Sequence, residues 1–215
     1  MLKPRAFVKV GVFLACLMPF ILLLVALAMG TLSANPIQDI TQETGVWTLR
    51  FLLIALCVTP LRKLSGWNEI IKFRRMLGLF AFFYGFLHLM TYLWLDQFFS
   101  VPEIMHDVVK RPFITAGTAG FLLMVPLAVT STRKWISRLG GKRWQLLHRL
   151  VYFSAGAAVA DYLWLVKADI QRPVAYAVVL STLIAYRLFD ALHSRRVAEQ
   201  RLGRGAVLSY SRLHD

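Results

Sequence analysis

Charge is scarce in this 215-residue chain: 17% of the residues are Asp, Glu, Lys or Arg, whereas 58% are hydrophobic. That balance excludes an ordinary soluble domain, whose wetted surface calls for about 25% charged residues. Acidic residues are scarcer still, 11 against 25 basic ones, for a formal net charge of +14. Such an excess raises nucleic acid as a partner, but nucleic-acid surfaces interleave basic residues with polar groups and aromatic stacking platforms. Here the basic residues flank apolar runs, so no nucleic-acid partner is expected. The two cysteines, Cys16 and Cys57, both lie inside such runs, which marks them as small packing residues rather than a disulfide or a metal pair. An internal repeat, a low-complexity tract, a phosphate loop, a hydrolytic triad and a hydrophilic stretch long enough for a second domain are all missing. A single membrane domain over 1–195 and a cytoplasmic tail over 196–215 account for the chain.

What the chain has in quantity is apolar runs. A helix needs roughly 20 apolar residues to cross the hydrocarbon core, because every backbone polar group there must be bonded internally. Six stretches qualify, at 7–29, 46–61, 76–95, 113–130, 145–166 and 173–192. They predict an all-α membrane protein, a six-transmembrane-helix bundle whose second span is the shortest. Lys3, Arg5 and Lys9, with Ser33 and Ala34 further on, also resemble a signal peptide. The first run exceeds the apolar region of about 7 to 15 residues that a signal peptide carries, so it is read as a retained helix.

Orientation follows from the excess of Lys and Arg in cytoplasmic segments. The N-terminus, 62–75, 133–143 and the tail from Arg187 hold 19 of the 25 basic residues. The segment 31–45 has none, and in 96–111 Lys110 and Arg111 are balanced by Asp96, Glu103 and Asp107. Both termini are therefore expected in the cytoplasm. Pro102 opens an expected short surface helix on the outer side, and the tail is expected to extend the last helix and end in disorder.

Two histidines lie within the spans, His88 in the third and His148 in the fifth. Paired intramembrane histidines suggest haem iron, for which His is a common axial ligand. The plainer reading is a histidine bonded to the backbone of a neighbouring helix. Gly78, Gly85 and His88 fall within roughly an 80° sector of a helix that turns about 100° per residue. This leaves a groove for a flat macrocycle, with Phe82, Phe83 and Phe86 nearby. The small-residue run SAGAAVA at 154–160 reads either as room for a cofactor or as a helix-packing face. At about 1.5 Å of rise per residue, His88 stands about 20 Å above Arg75, Asp161 about 27 Å above Arg143 and His148 about 8 Å above Arg143. His88 is thus closer in depth to position 161 than to His148, which suits two haem levels. Intramembrane ionisable residues mark functional sites by default, and the competing reading of His88 and Asp161 is a proton or ion relay in a transporter.

Five segments carry a more specific signal: TPLRKLSG at 59–66, RRMLGLFAFFYGFLHL at 74–89, KRPFITAGTAG at 110–120, LAVTST at 127–132 and RLGGKRWQLLHRLVY at 138–152. With them, residues 35–192 resemble the MsrQ (YedZ) family, the haem-binding membrane subunits of periplasmic methionine sulfoxide reductase systems in the ferric-reductase-like transmembrane superfamily. The resemblance implies a bacterial inner-membrane protein with b-type haem and bound flavin mononucleotide (FMN). It further implies electron transfer from a cytoplasmic flavin reductase or quinol to a periplasmic molybdopterin subunit. His88 and His148 become the haem-iron ligands, with Gly78 and Gly85 beside the cofactor. Arg74 and Arg75 read equally as topology anchors or as partners of a haem propionate or flavin phosphate. Lys110 and Arg111 take a propionate or the periplasmic partner on the outer side. His106, His193 and His214 read as solvated surface.

One position departs from the family pattern, which has a histidine thirteen residues after the one matching His148. This chain has Asp161 there. A carboxylate is a hard oxygen ligand that must also be desolvated. Asp161 is read as neutral and hydrogen-bonded, as lying beside a water-filled outer pocket, or as a replacement ligand. The expectation is a His88 haem that is weakened, five-coordinate or lost.

Overall fold

The computed structural model describes residues 4–166 and 170–211, with side chains described only in part beyond Ser194. Lys3 and His214 lie outside the described residues. The described chain is built of helices and connecting turns, and five helices are long and apolar enough to cross a membrane.

Helix α1 (Pro4–Met29) forms from the first apolar run and carries Pro19 in its interior. It meets the rest of the bundle through ring contacts of Phe13 with Phe80 and Phe20 with Phe83, and through Tyr84. The Tyr84 hydroxyl accepts a bond from the Phe20 N–H and donates one to the Cys16 carbonyl, each at 3.0 Å. It therefore stands between two groups that would otherwise bond within the helix, beside a proline that lacks an N–H, a combination known to bend helices. Most large side chains of α1 face outward, as a lipid-facing helix requires.

Helix α2 (Pro36–Ser65) is 30 residues long, which corrects the expectation that the second span is the shortest. Asn35 caps it by accepting from the Gln38 N–H, Pro36 opens it, and Gly66 closes it at φ 70° with its N–H on the Arg62 carbonyl. These are standard start and stop devices. The first turns looked too polar for a span because Gln38, Thr41 and Gln42 turn toward an internal cavity rather than lipid.

A tight turn at Asn68–Phe73 leads into α3 (Arg74–Met90), which ends in a widened turn at Thr91–Asp96. Phe98 and Phe99 hold φ of 47° and 58°, an uncommon region for bulky residues. They reverse the chain into α4 (Val101–Lys110), the short surface helix expected after Pro102. Buried Asp107 ties α4 back to the α3 end, accepting from Tyr92 Oη (3.3 Å) and Gln97 Nε2 (3.2 Å), and forms an ion pair with Arg111 Nε at 3.2 Å.

Helix α5 (Pro112–Val129) is followed by the short helices α6 (Arg133–Leu139) and α7 (Gly141–Leu147), separated by Gly140 at φ 73°. The fifth expected span differs from its sequence reading. It breaks at His148 and Arg149, and only α8 (Leu150–Leu165), 16 residues, is continuous. At about 24 Å it falls short of the ~30 Å hydrocarbon core. Helix α9 runs unbroken from Gln171 to Ser211. The backbone thus stays helical well into the tail where disorder was expected; Arg, Ala, Glu, Gln and Leu there are good helix formers.

Helix α2 packs mainly on α3 and α5 mainly on α8, with α3 against α5 joining the two pairs. Phe51 stacks on Tyr84 at 5.3 Å at the centre of the core. Cys16 and Cys57 are free and packed among apolar side chains, as their positions suggested.

Candidate functional site

The α2–α3 and α5–α8 pairs enclose a cavity of about 760 Å³, within the range of cofactor pockets. Its walls are Thr41, Gly45 and Leu49 of α2, Gly85 and His88 of α3, Gly117, Gly120 and Phe121 of α5, and Ser154, Ala158 and Asp161 of α8. Gln38, Tyr92, Asp96 and Arg111 stand at its polar end.

His88 is held from behind. Its Nδ1 lies 2.8 Å from the Thr41 carbonyl oxygen. A carbonyl only accepts, so Nδ1 carries the proton and Nε2 keeps its lone pair. Histidines that ligate metals are oriented in this way by the partner of their other nitrogen. Gly45 makes the arrangement possible, since a Cβ there would stand 3.0 Å from both Nδ1 and Cε1 of His88. The bland reading, a histidine bonded to a neighbouring helix, is thus also the arrangement of a ligand.

Asp161 lies against the opposite side. A Cβ on Gly117 would stand 3.2 Å from its Oδ1. Among the described residues it makes no hydrogen bond and no ion pair, so it shares the cavity with His88 without pairing with it. Of the readings open for this carboxylate, it is the one beside a pocket that the geometry matches.

The small residues serve both uses weighed for them. Ser154 Oγ donates to the Gly120 carbonyl at 2.8 Å, and a Cβ on Gly120 would meet Ala157 at 3.1 Å, so the run at 154–160 is a packing face toward α5. Ser154 and Ala158 also line the cavity. Gly85 lines it too, and a Cβ there would stand 2.9 Å from Met124 Cε; Gly78 lies outside it, with nothing within 4 Å of a Cβ. Phe82 stacks on Phe121 at 5.3 Å, Phe83 meets Phe20 at 5.5 Å, and Phe86 is exposed. The phenylalanines on the cavity wall are Phe113 and Phe121 instead.

His148 does not line this cavity. It sits in the turn between α7 and α8, its ring 3.9 Å from that of Trp144 and its Nδ1 3.1 Å from the Trp144 carbonyl, with the Leu127 carbonyl also beside it. Trp144 in turn donates to the Thr130 carbonyl at 2.9 Å. The two levels inferred from helix rise are therefore separate in space. Arg74 is partly buried near His148, and Arg75 is exposed. Lys110 is exposed, and Arg111 is engaged by Asp107. His106 and His193 are surface residues.

Sequence reasoning missed Thr41, Gly45, Gly117 and Arg50. Arg50 lies mid-way along α2, its Nε donating to Tyr176 Oη at 3.0 Å and its guanidinium 4.6 Å over the Trp47 ring. An arginine inside an apolar run was the available signal; the glycines had none, because their role depends on which helix lies opposite.

Residues 44–159 match the family described as ferric reductase like transmembrane component. The chain is 50% identical over 190 residues to a protein-methionine-sulfoxide reductase heme-binding subunit MsrQ of Herminiimonas arsenicoxydans, covering 87% of each chain. It is 52% identical over 186 residues to the MsrQ of Azospira oryzae, covering 86% of this chain and 80% of that one. The chain belongs to the MsrQ family. A third relative, the MsrQ of Rhodospirillum rubrum, is 50% identical over 188 residues, covering 87% and 90%. No solved structure matches the chain. The segment matching the broader family contains Gly45, His88 and His148 and ends two residues before Asp161.

Proposed function

We propose that this member of the MsrQ family is a b-type haem protein of the bacterial inner membrane that relays electrons outward. The observation that carries the reading is the His88 imidazole, fixed through Nδ1 by the Thr41 carbonyl and bordering a cavity of about 760 Å³. The residues present fit haem on one side. His88 offers a nitrogen ligand already oriented, Gly45 and Gly85 let the helices approach, and Leu49, Phe113, Phe121 and Met124 exclude water. Asp161 on the other side is a poor iron ligand, so His88 is the single protein ligand at this level.

Haem bound there supplies a one-electron couple. His88 orients it, and the apolar walls keep it in a low-dielectric site. His148 serves a second, inner level close to Arg74, where a flavin or haem of the other leaflet is held; Arg75 and Gly78 flank that level. The donor is a cytoplasmic flavin reductase, with FMN as the bound flavin, or membrane quinol. The acceptor is a periplasmic molybdopterin methionine sulfoxide reductase subunit, and the exchange supports repair of oxidised proteins. Both termini lie in the cytoplasm, with α8 completing six passes. A proton or ion relay through His88 and Asp161 is disfavoured, since Asp161 has no hydrogen-bonded partner among the described residues to carry it.

Replacing the two histidines tests the assignment. His88→Ala is expected to abolish haem at the outer level, and His148→Ala to lower or shift a different part of the visible spectrum. Parent-like spectra and reduction behaviour in both variants would refute the ligand assignment.

A further inference from the structure

At the end of the bundle where α3 and α8 begin, two arginines lie within electrostatic range of each other, and among the described residues neither pairs with an acid. Arg187 of α9 donates through Nη2 to the Leu56 carbonyl at 3.0 Å and lies 5.3 Å over the Tyr152 ring. Arg74 lies within electrostatic range of Arg187, Tyr152 and His148. Among the described residues, Asp190 pairs instead with Lys63 at 2.5 Å and Glu69 with Lys72 at 2.6 Å. Like charges held close in a partly desolvated site repel one another, and side chains this long would separate unless something held them.

The unsatisfied groups point to the same place. Among the described residues, the buried side-chain polar atoms lacking a hydrogen-bond partner are Arg187 Nε and Thr59 Oγ1. Thr59 lies three residues beyond Leu56, so it sits on the same face of α2, one turn along. Buried donors left unpaired are rare enough to need an explanation. A guanidinium N–H, a second guanidinium and a hydroxyl form a donor set that suits a carboxylate or phosphate. Gly78, one turn after Arg74, leaves open space beside the set, since a Cβ there would meet nothing within 4 Å.

We propose that Arg187, Arg74 and Thr59 form an oxyanion site that grips the carboxylate or phosphate end of a membrane-embedded ligand. Arg187 is the key residue, because its free Nε and its bond to Leu56 aim it from α9 across α2. The site stands whether or not His88 carries iron; naming its ligand as the acidic end of a cofactor rests on the proposed function.

The test uses the full chain purified in detergent, with haem, FMN and phospholipid phosphorus quantified per protein. The variants are Arg187→Gln, Arg187→Lys, Arg74→Gln and Thr59→Val. Arg187→Gln and Arg74→Gln are each expected to lower one of the three contents roughly tenfold, with partial recovery in Arg187→Lys and a smaller loss in Thr59→Val. Loss of haem identifies a propionate, loss of FMN with haem retained identifies the flavin phosphate, and loss of phosphorus alone identifies a lipid headgroup. Contents unchanged in Arg187→Gln and Arg74→Gln would overturn the site. If Arg187→Gln fails to fold, Arg74→Gln, whose side chain makes no hydrogen bond among the described residues, decides it by the same contents. Should the parent lack haem, the FMN and phosphorus arms still decide the oxyanion site, so failure of the haem reading is told apart from failure of this one.

Discussion

Gly45 and His88 show how a single hydrogen atom in place of a side chain sets the chemistry of the cavity. A methyl group at 45 would press on Nδ1 and Cε1 at 3.0 Å and force the ring to shift against its bond to the Thr41 carbonyl. Gly45→Ala is therefore expected to weaken haem binding about tenfold, the cost typical of disturbing an outer partner of a metal ligand. Gly78→Ala, which meets nothing within 4 Å, is expected to leave the His88 spectrum unchanged. Haem titration of the two variants, followed at the Soret band, checks both. That His88 and Asp161, which border the same cavity, would lie at one level of the bundle was legible in the sequence because helix rise is constant. Thr41, Gly45 and Gly117 were not, because their importance comes from the helix packed opposite, which spacing along one helix does not reveal.

At the scale of elements, one hydroxyl supplies the side-chain hydrogen bonds between α1 and α3. Tyr84 is 1% exposed and occupies the backbone gap between Phe20 and Cys16. Tyr84→Phe leaves both backbone groups without that partner and is expected to cost about 1–3 kcal/mol. Thermal unfolding in detergent should fall accordingly, with α1 becoming the first site of proteolysis while the cavity spectrum persists. An unchanged melting temperature would mean that the ring contacts of Phe13 and Phe20 with α3 suffice. The apolar runs made most helices legible, but the polar start of α2 and the break at His148 were hidden. The former satisfies its polar residues in a cavity, and in the latter the Trp144 carbonyl receives both the His148 N–H, at 3.0 Å, and its Nδ1, at 3.1 Å.

Across the whole molecule, two levels emerge. One joins α2, α3, α5 and α8 around His88 and Asp161; the other joins His148, Arg74 and Arg187 where α3 and α8 begin. The family was legible from five short segments, whereas the consequence of Asp161 required knowing that it faces the same cavity as His88. On this account the outer level is a haem pocket with one strong ligand, and replacing the acid with imidazole completes it.

The most direct measurement is the visible spectrum of the purified full chain before and after dithionite, beside that of Asp161→His. The account predicts a reducible Soret band in both, with lower haem occupancy and a five-coordinate signature at the outer level of the parent, and fuller loading with a six-coordinate signature in Asp161→His. Absence of haem from both proteins would contradict it.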